Sequence, residues 1–125
     1  MFTVQYDPTD RILHLKMTGF WTVHTVADFR AAIQAEVDRI PGSPKQFDVL
    51  SESVDLPVQS QEVSEALAAM TAGFRGRWGG RTALAVKHVL NKMQVDRTMA
   101  APTVRAFLTV DEAMAWLKSP PQNEA

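Results

Sequence analysis

Val104-Arg105-Ala106-Phe107-Leu108-Thr109-Val110-Asp111-Glu112-Ala113-Met114-Ala115-Trp116-Leu117 contains the change of period that decides the fold. The stretch from Thr103 to Leu108 has the length and the β-branched and aromatic content of a short strand. Thr109-x-x-Glu112 has the spacing of a capping box, in which a hydroxyl and a carboxylate satisfy the free amides of a helix start. Ala113, Trp116 and Leu117 recur at intervals of three and four, so one face of that helix is apolar and Trp116 is expected in the core. Ser119-Pro120-Pro121 stops the helix, and residues 119–125 read as a disordered tail. A strand passing directly into a capped helix is the repeating step of an alternating α/β chain.

The same step recurs upstream. Arg81 to Lys87 encloses Ala83-Leu84-Ala85-Val86, an apolar run suited to a buried parallel strand, and Val89 to Ala100 reads as a weaker helix around Leu90, Met93 and Met99. Phe47 to Val54 is another strand. It is followed by a helix that Ser60 can cap, with Val63, Leu67, Met70 and Phe74 on one stripe. Glycines at 73, 76, 79 and 80 then read as a tolerant loop that dismantles this helix. Val26, Phe29, Ile33, Val37 and Ile40 form the stripe of the first helix, which Thr22 or Thr25 can cap and Pro41-Gly42 ends. At the start, Phe2 to Tyr6 and the alternating Ile12 to Thr18 flank the turn Asp7-Pro8-Thr9-Asp10, which predicts an antiparallel hairpin. The predicted order is β-β-α-β-α-β-α-β-α. It implies a mostly parallel five-stranded sheet with an N-terminal antiparallel hairpin strand, about four helices, and one domain over residues 1–118.

Composition sets the outer bounds. The chain has 125 residues, 46% of them apolar and 22% charged, as in an ordinary globular domain. No run approaches the length of a membrane span, and Met1 to Tyr6 lacks the basic start and apolar stretch of a signal peptide, so no integral membrane protein is expected. The chain contains no cysteine, which excludes disulfides and thiolate chemistry and makes the cytoplasm the default compartment. The net charge is −1, so specific nucleic-acid binding is not expected. Residues 71–97 nevertheless hold six basic side chains against Asp96, a net +5, which leaves −6 on the remainder.

The element order resembles the SpoIIAA-like proteins, the group of STAS domains and relatives of CRAL-TRIO lipid-binding domains. The residues that carry the resemblance are Thr18-Gly19-Phe20-Trp21-Thr22, Asn91-Lys92-Met93-Gln94, Val104-Arg105-Ala106-Phe107 and Asp111-Glu112-Ala113-Met114-Ala115-Trp116-Leu117. The resemblance implies a SpoIIAA-like, STAS-type α/β fold. It also implies a non-enzymatic binding or regulatory module, for a small apolar or lipid-like ligand or, alternatively, for a protein partner in anti-sigma-factor-like signalling. STAS antagonists carry an Asp-Ser pair at the start of the second helix, where the serine is phosphorylated. The nearest position here is Gln59-Ser60, which lacks the aspartate, so Ser60 is read as a helix cap.

Two candidate sites follow. Ligands of open α/β sheets favour the carboxyl ends of the strands, where this order brings Trp21, His24, Ser53, Asp55 and His88. His88 oriented by Asp55 would form an acid–base pair, which keeps an enzyme as the last alternative. Arg75, Arg77, Trp78 and Arg81, by contrast, form a basic aromatic loop at the amino end that could hold an anion; the competing reading is a helix terminus. Met17, Met70, Met93 and Met99 could line an apolar pocket, although core filling is their commoner role. No nucleophile motif, phosphate loop or metal spacing is present, so no cofactor and no metal is expected, and the chain leaves a homodimer open.

Overall fold

The computed structural model describes residues 1–74, 79–98 and 103–120. Five strands and four helices alternate: β1 (Phe2–Asp7), β2 (Ile12–Met17), α1 (Val23–Asp38), β3 (Asp48–Glu52), α2 (Gln61–Phe74), β4 (Thr82–Ala85), α3 (Val89–Thr98), β5 (Val104–Phe107) and α4 (Val110–Lys118). The strands lie in sequence order in one sheet. β1 pairs antiparallel with β2, Phe2 opposite Met17 and Asp7 opposite Ile12, and every later pairing is parallel. The hairpin turn closes as its residues predict, with Asp7 Oδ1 accepting from the Thr9 and Asp10 amides at 2.9 and 3.4 Å.

Local chemistry sets the helix starts. Thr22 caps α1 and exchanges hydrogen bonds with Thr25 at N3, so the capping box is built from two threonines. Ser60 Oγ accepts from the Val63 amide at 3.2 Å, and Thr109 Oγ1 accepts from the Glu112 amide at 3.1 Å. The far end of α1 is closed from a distance, because Lys45 Nζ donates to the Val37 and Ile40 carbonyls at 2.7 and 2.8 Å.

The pleat divides the core into two layers. Leu13, Leu15 and Met17 pack with Trp21, Val26, Phe29, Ile33, Val37, Phe47 and Val63 beneath α1 and α2. Ile12, Leu50, Ala83 and Ala85 pack on the other face against Ala113 and Leu117 of α4. Ala83, Ala85 and Ala113 are fully enclosed, and their small side chains let α4 lie close to the sheet. Met17 and Met70 belong to the first layer, whereas Met93 is exposed, so these three methionines do not line a common pocket; Met99 lies outside the described residues.

Trp116 departs from its expected place. It is half-buried at the margin of α4, 5.6 Å from the Phe107 ring and with the Arg81 guanidinium 4.8 Å over its own ring. The apolar stripe of α4 is narrow, and Ala113 and Leu117 occupy its centre. Trp116→Ala is therefore expected to lower unfolding stability by about 2 kcal/mol, below the range for an enclosed aromatic, as read from a urea titration.

Candidate functional site

The parallel strands deliver Gly19, Ser53, Val86 and Leu108 to one end of the sheet, where all four helices also begin. The residues expected there are present, and no hydrogen bond or ion pair joins any two of them. Trp21 is buried, its Nε1 donates to the Thr18 carbonyl at 2.9 Å, and its ring stands edge-on to Phe29 at 5.1 Å. Ser53 Oγ donates to the Ala85 carbonyl at 3.2 Å, tying β3 to β4. His24 is exposed and lies 3.7 Å from Asp28 on the next turn of its own helix. Asp55 and His88 are both exposed, and no hydrogen bond or ion pair joins them. Two open depressions, of 360 and 240 Å³, lie toward the opposite end of the sheet. One is lined by Gln5, Tyr6, Asp7, Pro8 and His14, the other by Asp10, Arg11, Gln46, Phe47, Asp48 and Gly80.

The basic loop is represented in the described residues by Arg81; Arg75, Arg77 and Trp78 lie outside them. The guanidinium of Arg81 is committed to the end of α4, donating to the Leu117 carbonyl at 2.8 Å and the Ser119 carbonyl at 2.7 Å. Its own amide donates to Asp48 Oδ1 at 2.8 Å. Arg81 is thus a brace between β4, β3 and α4, and it satisfies carbonyls that a helix end leaves open. Ser119 caps α4 in the same arrangement, while residues 121–125 of the expected tail lie outside the described residues.

Exposed apolar side chains mark the carboxyl end instead. Among the described residues the exposed large hydrophobics are Met1, Phe20, Val23, Val58, Val89, Leu90, Met93 and Leu108. All of them lie in the loops leaving the parallel strands, in the first turn of α1 or the first two turns of α3, or at Met1, whose carbonyl accepts from the Thr18 amide at 2.9 Å. Phe20, Val58 and Leu90 are 81, 91 and 78% exposed. Scattered apolar exposure needs no explanation, whereas these residues share one end of the sheet.

One side chain holds two of these residues in place. Gln59 Oε1 accepts from the Trp21 amide at 2.8 Å, and its Nε2 donates to the Gly19 carbonyl at 2.9 Å and the Pro57 carbonyl at 2.8 Å. Those backbone groups flank Phe20 and Val58, so the amide of Gln59 ties together the two turns that present them. No local pattern marks Gln59, since its partners lie up to forty residues away; its one signal in the sequence is its place beside Ser60. Gln59→Ala leaves these groups unpartnered and is expected to cost about 1–3 kcal/mol, with faster hydrogen exchange at the Trp21 amide. At Ser60, whose role is the cap, Ser60→Ala is expected to cost about 1 kcal/mol and Ser60→Asp a few tenths. Equal losses for the two in a thermal melt would remove the cap assignment.

A five-stranded sheet with one antiparallel edge and four helices in this order give this chain a SpoIIAA-like α/β fold. The chain is similar to an uncharacterized protein of the DUF3478 family with a SpoIIAA-like fold from Shewanella loihica PV-4. The TM-score is 0.70 at 15% identity, over 94% of this chain and 92% of that one. It is also similar to an anti-sigma factor antagonist from Mycobacterium paratuberculosis, with TM-score 0.61, 16% identity and coverage of 95 and 96%. The anti-sigma factor antagonist SpoIIAA in its unphosphorylated form gives TM-score 0.60, 14% identity and coverage of 94 and 96%. No family model matches the sequence, and no curated protein matches it. No helix among the described residues is long and apolar enough to cross a membrane.

Proposed function

We propose that this chain is a cytoplasmic protein-interaction domain of the STAS type, which engages its partner through the carboxyl end of its sheet. The observation that carries the reading is the gathering of Phe20, Val58, Val89, Leu90 and Leu108 at that end, exposed and held on the turns of a rigid sheet. Exposed apolar surface gathered at one place is a feature of protein contact sites, and preorganised turns lower the ordering cost of association. Two structural neighbours add support, because they are described as anti-sigma factor antagonists, a name that denotes action on another protein. A small apolar ligand is the weaker reading, since Met17 and Met70 are packed in the core and Met93 stands on the surface.

Photo-crosslinking in the cells of origin tests the proposal. Benzoylphenylalanine in place of Phe20 or Val58 is expected to yield a discrete protein adduct, and the same group in place of Thr9, on the hairpin turn at the other end, is not. The absence of an adduct from Phe20 and Val58, or the same adduct from all three positions, overturns the reading.

A further inference from the structure

We propose that the occupant of the carboxyl-end surface is an amphipathic helix of the partner protein, with an apolar face flanked by lysine or arginine. This rests on the interaction reading above and gives its partner a chemistry. The first argument is geometric. Because the strands lie in sequence order, Phe20, Val58, Leu90 and Leu108 follow β2, β3, β4 and β5 and form a row across the end of the sheet. Neighbouring strands are about 4.8 Å apart, so the row covers three intervals, or about 14 Å. An α-helix advances about 5.4 Å per turn, so four apolar side chains one turn apart cover about 16 Å. A helix laid across the strand ends therefore meets one apolar residue per turn, whereas the two-residue repeat of an extended segment, about 6.7 Å, overshoots the strand spacing further.

The second argument is charge. Asp55, Glu62, Asp111 and Glu112 are exposed in the loops and first helical turns around the row. Among the described residues the exposed cations at this end are Lys87 and the amino terminus of Met1, and Lys92 is half-buried in the first turn of α3. His24 is paired with Asp28, and Lys16 with Glu52 at 3.4 Å. The acids suit the helix N-termini that carry them, but a partner meets their outward carboxylates as an acidic frame around an apolar row. Basic flanks on the incoming helix match that frame and speed its approach in a salt-dependent way.

The test uses the full chain, isotope-labelled, and three synthetic helical peptides of about 14 residues, roughly four turns. One has leucines on one face and lysine flanks, one the same leucines with glutamate flanks, and one the lysine composition with its leucines scattered around the helix. The lysine-flanked peptide is expected to shift the amide signals of Phe20, Val58 and Leu90. Its binding is expected to be about tenfold tighter than that of either other peptide, a difference of about 1.4 kcal/mol, and to weaken as salt rises. The double variant Phe20→Ser/Leu90→Ser removes exposed side chains and is expected to fold normally and lose that binding. Equal affinity for the lysine and glutamate peptides, or for the scattered peptide, overturns the proposal. So does lysine-peptide binding that survives in the double variant, which would be bare charge attraction. If the peptides fail while Phe20 and Val58 still crosslink a partner, the interaction reading stands and the helix is wrong; if both fail, both fall.

Discussion

Gly80→Ala is expected to destabilise the fold by about 3–5 kcal/mol, combining backbone strain with overpacking against a fixed neighbour. Gly80 has φ +112°, a conformation that L side chains rarely adopt. A Cβ at this position would fall on the Phe47 carbonyl oxygen, far inside van der Waals contact, and 2.9 Å from Asp48 Oδ1. Neither neighbour can retreat. Asp48 Oδ1 holds the Arg81 amide, and the Val49 amide donates to the Arg81 carbonyl at 2.8 Å, which starts the β3–β4 pairing. The controls are the neighbouring glycines. A Cβ on Gly79 meets only the side chain of Gln46, whose end can swing away, so Gly79→Ala is expected to cost less than about 1 kcal/mol. Gly19 has φ +77° with nothing nearer than 3.9 Å, so Gly19→Ala is expected to show only the conformational cost of about 1–2 kcal/mol. Urea midpoints ranking Gly80 far above Gly19, and Gly19 above Gly79, check the series. Equal midpoints for Gly79→Ala and Gly80→Ala would mean that β4 does not enter the sheet against Phe47.

Phe29→Ala is expected to have an effect of the same size, about 3–5 kcal/mol, for a different reason. Phe29 is fully enclosed and is the largest side chain in that state among the described residues. Its ring lies 5.0 Å from Phe2 and 5.1 Å from Trp21, so one residue joins β1, α1 and the turn after β2. Its loss opens a cavity that those rings cannot fill without leaving β1 and the turn after β2. Phe29→Leu keeps most of the volume and is expected to cost about 1.5 kcal/mol. A loss in Phe29→Ala no larger than in Phe29→Leu would show that α1 is not docked through this residue.

These substitutions also separate two kinds of information. The element order, the hairpin, the caps at Ser60 and Thr109, and the stripes of α1 and α2 were all legible in the sequence. Each rests on a periodicity or on a hydrogen bond spanning two to four residues, and such chemistry acts on the chain whatever surrounds it. The start of α1 shows the limit of that legibility: Thr22 and Thr25 both read as possible caps, and the structure uses Thr22 as the cap with Thr25 at N3.

What the tertiary structure decided involves partners thirty or more residues apart. Gly80 belongs by composition to a glycine-rich loop, and only the passage of β4 beside Phe47 makes it intolerant of a side chain. Arg81 read as one of three loop arginines, yet the approach of α4 hands it the Leu117 and Ser119 carbonyls, 36 and 38 residues on. Gln59 carries no local signal, and parallel pairing brings it to the turn after β2, where it holds Gly19 and Trp21. The proposed contact surface has the same origin. Phe20, Val58 and Leu108 lie in three separate loops and Leu90 in the first turn of α3, and the sequence by itself leaves each looking like local detail. Side-by-side pairing of the strands in chain order sets those loops in a row, because parallel pairing brings every carboxyl end to the same side of the sheet.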